Sequence, residues 1–245
     1  MVHKLLAYYK HQQFFPGLIS ILINPFFFFR LRLVDGMKKY SKELNGKLLD
    51  FGCGCKPYQE LFKHVFEYVG VDVENEGHNH KTETIDVYYD GQTLPFEDES
   101  FDSVLSNEVL EHAPALHLSL SEIRRVLKPG GKILFTVPFV CFEHELPYDF
   151  RRLTTGGLIK ELEDAGFEVM KSEKTGNYIE VVIQLWMSYW RELLYTRNKY
   201  VNMVINTICI APFTLLGILL SLILPSKKGL YFDTLIVGRK PVNVI

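Results

Sequence analysis

Leu49-Asp50-Phe51-Gly52-Cys53-Gly54 ends a short apolar run that begins at Lys47, and its reading decides the fold. A buried strand that breaks into glycines lets the backbone approach a ligand closely, since glycine has no Cβ and accepts a left-handed turn. Asp72 follows Gly52 by twenty residues, at the end of the next apolar run. A carboxylate at that strand end is placed to accept from ribose hydroxyls in a nucleotide crevice. The dinucleotide-binding fingerprint asks for Gly or Ala at the sixth position from its first glycine. Here that position is Pro57. Asp50 also sets negative charge beside the turn, which repels a pyrophosphate and suits a ligand with an ammonium and a sulfonium. A nicotinamide-dependent oxidoreductase is therefore disfavoured, and a plain tight turn is the remaining alternative.

Outward from this turn, short apolar runs alternate with helical spacing. Strands are expected at 47–51, 68–73, 83–87, 101–106, 132–137, 167–172 and 231–238. Helices are expected from Pro57 through Phe62, over 116–127, where Leu116, Leu120, Ile123 and Leu127 share a face, and over 155–165. Lys128-Pro129-Gly130-Gly131 and Gly166 are stop signals for the last two. This alternation predicts an α/β fold: a doubly wound, mostly parallel sheet with helices on both faces.

Two further stretches complete a series. Asp90-Gly91-Gln92-Thr93-Leu94-Pro95-Phe96 is a polar turn able to present a carboxylate and a backbone N–H to an adenine edge. Phe101-Asp102-Ser103-Val104 leads to Asn107, to Leu110-Glu111-His112, and then to Arg125-Val126-Leu127-Lys128-Pro129-Gly130-Gly131. The ordered set L-D-x-G-C-G, L-P-F, F-D-x-V, L-E-H and R-V-L-K-P-G-G resembles the class I S-adenosylmethionine-dependent methyltransferases of bacterial type, over about residues 47–175 and the last strand. The resemblance implies a seven-stranded Rossmann-like sheet whose last strand runs antiparallel between the fifth and sixth. It implies S-adenosyl-L-methionine as cofactor, with Gly52, Cys53 and Gly54 along its methionine part and Asp50 helping to place that end. Asp72 would then bind the ribose, Asp90 and Gly91 would meet the adenine, and Asn107 would lie beside the cofactor.

The loop after the fifth strand, residues 138–152, is dense in titratable and aromatic groups. It follows the carboxyl edge, where doubly wound sheets bind ligands. His144 is the candidate general base for a hydroxyl acceptor, because its pKa lies near neutral. Glu143, Glu145 or Asp149 could orient it. Arg151 and Arg152 either hold an anionic acceptor or pair with Asp149 to stitch the loop to the next helix. His112 reads first as structural. Cys53-x-Cys55 has no second pair of thiols, so no metal is expected.

The net charge of −2 gives nucleic acid no electrostatic footprint. The four cysteines form no disulfide framework, which fits a reducing compartment. The expected organisation is an apolar to amphipathic helical segment at 1–45, a cofactor-binding core at 46–177, an apolar helical insert at 178–230, and the final core strand and tail at 231–245. Residues 200–226 carry no charge, long enough for a bilayer core. Both ends of the insert must join neighbouring strands, so a single crossing is excluded. Two short helices in a shallow hairpin, bent at Pro212 and Gly217, are expected, with Trp186, Trp190 and flanking Lys and Arg at the interface. A membrane-associated enzyme at the cytoplasmic face follows, acting on a small-molecule, lipid or lipid-linked acceptor. The alternatives are a buried helix pair forming a lid or dimer contact, and an inactive scaffold that only binds the cofactor.

Overall fold

The computed structural model describes residues 2–73 and 84–242, with side chains from residue 8 onward. The chain forms two compact units, residues 37–174 with 233–245 and residues 1–36 with 175–232.

The first unit is built on β1 (Lys47–Phe51), β2 (Glu67–Val73), β3 (Val87–Tyr89), β4 (Phe101–Asn107), β5 (Leu127–Pro138), β6 (Glu168–Lys174) and β7 (Asp233–Arg239). They form one seven-stranded sheet in the order β3-β2-β1-β4-β5-β7-β6. β7 is antiparallel to β5 and β6, and every other pairing is parallel. Leu48, Leu49, Val104, Leu105, Ile133, Leu134 and Phe135 are all buried. Consecutive burial on both faces is why the central strands read as continuous apolar runs rather than alternating ones. α4 (Leu116–Val126) buries Leu116, Leu120, Ile123 and Val126, the one-face spacing of a helix on a sheet. α5 (Thr155–Asp164) starts where the Thr154 side chain accepts from Gly157 N and buries Leu158 and Leu162. It ends before Gly166, whose φ of 83° only glycine adopts without strain.

The last strand runs antiparallel between the fifth and sixth, as the resemblance implies. The helix expected from Pro57 is instead a single 3-10 turn, Gln59–Phe62. Lys56 already sits in a left-handed conformation, and the chain turns straight into β2, leaving too few residues to repay helix nucleation. The third strand runs three residues, Val87–Tyr89; Glu83, its expected start, lies outside the described residues.

The second unit contains α1 (Val2–Phe14), α2 (Ser20–Ile23), the start of α3 (Phe27–Tyr40), α6 (Tyr178–Leu194), α7 (Lys199–Ile205) and α8 (Ala211–Ile223). Its two chain segments are held together by buried polar contacts. Gln184 Nε2 donates to Pro25 O (2.7 Å), Asn206 Nδ2 donates to Ile23 O (3.1 Å), and Arg32 Nε donates to both carboxylate oxygens of Glu180 (3.0 Å each). Glu180 is 1% exposed, so removing Arg32 would leave a buried carboxylate without this partner.

The insert differs from the expected short hairpin. α7 and α8 belong to one helical run, Lys199–Ile223, joined through a π turn at Asn206–Ile210. Pro212 lies at the second position of α8, directly after the π turn, and the helical run continues through it. Gly217 is not a bend either. A Cβ there would lie 2.7 Å from Phe28 Cζ and 3.0 Å from Ile183 Cγ2, so the glycine exists for close packing. The run has a mean hydropathy of 2.2, and only 28% of its most apolar stretch is buried. Val204, Ile208, Leu215, Leu219 and Leu222 form its exposed side, and Trp186 and Tyr189 stack in the open on α6.

Gly217→Val should overpack this unit and cost about 1–3 kcal/mol, read as a lowered unfolding midpoint in detergent. Gly229→Val, where a Cβ meets open space, should leave the midpoint unchanged.

Candidate active site

The parallel strands point their carboxyl ends at one edge, and the crevice there opens where the chain order reverses between β1 and β4. After β1 the chain turns at Gly52 (φ 73°), and the N–H groups of Gly52 and Cys53 both donate to Val71 O, at 2.9 and 3.1 Å. A Cβ on Gly52 would lie 2.4 Å from Val109 Cγ1, so only glycine fits. Gly54 is also left-handed (φ 46°), but a Cβ there would meet nothing within 4 Å. Gly52 thus serves the fold, and Gly54 borders free space. The Gly54 N–H donates to Asp72 Oδ2 (2.8 Å), which ties the glycine turn to the end of β2. Val73 N donates to Asp72 Oδ1 (2.8 Å).

Asp50 is buried and accepts from Tyr68 Oη at 2.5 Å. Burial pushes its carboxyl up to about 7, against the opposing pull of Tyr68 and Lys56. Lys56 is itself buried and pairs with Asp86, which also accepts from Gly70 N (2.6 Å). Tyr68, Lys56 and Asp86 are therefore part of the site's electrostatics, and none was singled out from the sequence. Their only signal was position, on β2 or just outside the glycine turn. Cys53 is placed differently from its expected role: its side chain is buried against Gly70, and burial pushes the thiol up. Asp90 is exposed and closes a turn, its Oδ1 accepting from Gln92 N (2.8 Å) and Thr93 N (2.9 Å), which hold its pKa down. Gly91 has a φ of 79° beside Val73. Asn107 ends β4 and accepts from Thr136 Oγ1 (3.1 Å).

The second cluster lies on the loops after β4 and β5. Leu110-Glu111-His112 is a turn rather than a helix. His112 faces His144, with Nε2 atoms 3.1 Å apart. Asp149 accepts from His144 N (3.0 Å) and from Arg152 Nη2 (2.6 Å), and Arg152 holds its pKa down at about 2. Burial lowers the pKa of His144. Asp149 is thus the residue that orients His144, while Glu143 is exposed and makes none of the ring's contacts. Arg151 donates to Leu110 O (2.8 Å), Ala113 O and Pro114 O (3.2 Å). Both arginines stitch the loops, the plainer of their two readings. Glu111 is fully buried, and burial followed by the nearby Glu108 pushes its carboxyl well up.

A family profile described as a methyltransferase domain matches residues 49–135, the stretch from the glycine turn through β5. The chain contains a class I S-adenosylmethionine-dependent methyltransferase domain. Among curated relatives, it is 36% identical over 125 residues to a demethylmenaquinone methyltransferase of Staphylococcus saprophyticus, covering 45% of this chain and 51% of that protein. It is 35% identical over 122 residues to a fatty-acid O-methyltransferase of Mycolicibacterium smegmatis (42% and 44% covered), and 41% identical over 99 residues to a sterol 24-C-methyltransferase of Gibberella zeae (35% and 26% covered). The chain thus spans about a quarter to a half of the length of these relatives. Among solved structures, the Haemonchus contortus phosphoethanolamine N-methyltransferase 2 complex with S-adenosyl-L-methionine superposes with a TM-score of 0.51 at 18% identity, over 85% of this chain and 52% of that one. The cyclase SpnF superposes at 0.55 and 21% identity, over 85% and 82%. At such identities the likeness shows the fold alone, and a cyclase among the neighbours illustrates why.

The residues present fit the cofactor: an open cradle at Gly54, a ribose-competent carboxylate at Asp72, and a buried carboxylate at Asp50. Gly54→Val should abolish binding of S-adenosylhomocysteine in calorimetry while the domain stays folded, at a backbone cost of about 1–2 kcal/mol. Gly52→Val should instead unfold the domain through its clash with Val109. Asp50 also sets a pH dependence. At pH 6 a carboxyl with a pKa near 7 is mostly neutral; at pH 8 it is ionised and attracts the ligand's ammonium. Affinity should rise about tenfold from pH 6 to pH 8, and Asp50→Asn should flatten that rise.

Proposed function

We propose that this chain transfers a methyl group from S-adenosylmethionine to a lipid or lipid-linked acceptor at the cytoplasmic face of a membrane, as a monotopic or peripheral enzyme. The observation that carries the acceptor class is the exposed apolar side of the Lys199–Ile223 helix, which no contact among the described residues covers. Isolated apolar side chains on a surface are ordinary, but a contiguous stripe of this length marks a docking face. Lys199 at one end and Lys227 and Lys228 beyond the other suit the headgroup region. The insert leaves β6 and returns to β7, and these strands pair, Lys174 opposite Thr234. In this reading the helix lies in the interface or enters and returns, since a single crossing would part the two strands. The names of relatives that act on a sterol and a fatty acid support an acceptor of the same class.

Bound S-adenosylmethionine supplies an electrophilic sulfonium methyl. The chain's own residues do the rest. Gly54 leaves room for the methionine end, Asp72 accepts from the ribose, and the ionised Asp50 carboxylate complements the cationic groups. At the acceptor end stand His144, oriented by Asp149 and Arg152, and His112 opposite it. Alignment and exclusion of water contribute most of the acceleration in such a transfer.

Leu215→Glu with Leu219→Glu, both at exposed positions, should abolish flotation with phospholipid vesicles and transfer to a vesicle-borne lipid extract, with affinity for S-adenosylhomocysteine unchanged. Undiminished flotation would remove the membrane reading. His144→Ala should lower turnover by about a hundredfold while calorimetry shows the cofactor still bound. Full turnover in that variant would remove His144 from the acceptor end.

A further inference from the structure

Glu111, His112 and His144 come from two loops, yet one ligand-type atom of each lies within 4.8 Å of the others. His112 Nδ1 is 2.9 Å from Tyr148 O, and His144 Nδ1 is 3.2 Å from Phe142 O. Backbone carbonyls only accept, so each Nδ1 carries the proton. Arg152 Nη2, also near His144 Nδ1, spends its two hydrogens on Phe142 O and Asp149 Oδ2. With Nδ1 holding its hydrogen, each uncharged form of the ring turns an Nε2 lone pair toward the other ring, at 3.1 Å. Two acceptors do not attract each other at that distance; something positive belongs between them.

The third group is Glu111. It is 0% exposed, and neither carboxylate oxygen has a hydrogen-bond partner among the described residues. A buried carboxyl without partners costs several kcal/mol in general. Its Oε1 stands 3.7 Å from His112 Nε2, and Glu145 Oε2 stands 3.6 Å from the same nitrogen. Ligand atoms about 2.0–2.2 Å from one zinc ion lie roughly 3–4 Å apart, which the separations around His112 match, and the rest of the set, within 4.8 Å, closes by a small side-chain movement on binding. The outer contacts are also those of a metal site, each imidazole fixed by a carbonyl on its far nitrogen.

We infer that Glu111, His112 and His144 bind a divalent transition-metal ion of the zinc type, with Glu145 or solvent completing the coordination. Two nitrogens and a carboxylate suit Zn²⁺ or Co²⁺ over Mg²⁺ or Ca²⁺, which take oxygen ligands. The ion ties the loop after β4 to the loop after β5, two segments that otherwise meet through side-chain and backbone hydrogen bonds. It also makes His144 a ligand rather than a free base, so that polarisation of an acceptor oxygen passes to the cation. This assignment does not depend on the acceptor class proposed above.

The test is metal stoichiometry. Purified protein is stripped with chelator, checked for S-adenosylhomocysteine binding, and reloaded with Zn²⁺ or Co²⁺ alone. The expected result is one ion per chain, visible absorption bands for the Co²⁺ form, and affinity about a hundredfold weaker in His144→Gln and in Glu111→Gln. His144 is half-buried on a loop, so its variant remains informative if Glu111→Gln fails to fold. Glu143→Gln, at an exposed neighbour outside the cluster, should bind like the parent. Folded protein that binds S-adenosylhomocysteine but takes up no stoichiometric metal would overturn the inference, leaving a shared proton between the imidazoles. So would uptake that survives His144→Gln, which would place the ion elsewhere.

Discussion

Parallel pairing of β1 with β4, Asp50 opposite Leu105 and Phe51 opposite Ser106, is the constraint on which the rest of this domain depends. It brings the ends of two strands distant in sequence to one place and leaves a crevice between the loops that follow them. The two loops are locked against each other by steric contact, since Gly52 exists only because Val109 occupies the space its side chain would need. A hydrogen bond from Gly54 to Asp72 then brings in the end of β2. The cradle is thus assembled by strand register first and by side chains second.

Two electrostatic environments share the same sheet edge. On the cofactor side, burial and the neighbouring carboxylates Asp72 and Asp86 push Asp50 up, while Tyr68 and Lys56 oppose them. Such a site is poised for a cationic ligand, which completes a charge balance that the protein leaves open. On the other side, Asp149 is paired with Arg152, while neither carboxylate oxygen of Glu111 has a hydrogen-bond partner among the described residues. The first arrangement is structural and rigid. The second retains unsatisfied bonding capacity, which proteins keep where they bind something.

The sheet and the cofactor turn were legible in the sequence because their determinants are local. Gly52, Gly54, Asp72 and the Lys128–Gly131 stop each act within a few residues of themselves. The helix expected at Pro57 failed because Lys56 adopts a left-handed backbone that nothing in a lysine announces. Glu108 and Glu145 do the same at the loops of the second cluster. His112 and His144 stand 32 positions apart, and their meeting depends on the register of β4 against β5. In the insert, composition showed an apolar helix but not its course. Pro212 and Gly217 look like bends in a sequence. Only the π turn before the one, and the aromatic ring of Phe28 packed on the other, show that the helix runs on.

The helical unit is made from residues 1–36 and 175–232, with residues 37–174 of the sheet unit encoded between them. On the ribosome, the Phe-rich α3 emerges long before α6 and α8, and Arg32 before Glu180. Contacts this distant in sequence are slow to form, and apolar surface left waiting is prone to aggregate. The nascent chain therefore has a period in which its first helices have no protein surface to cover them. Closure of the helical unit therefore waits until residues 37–174 have been made.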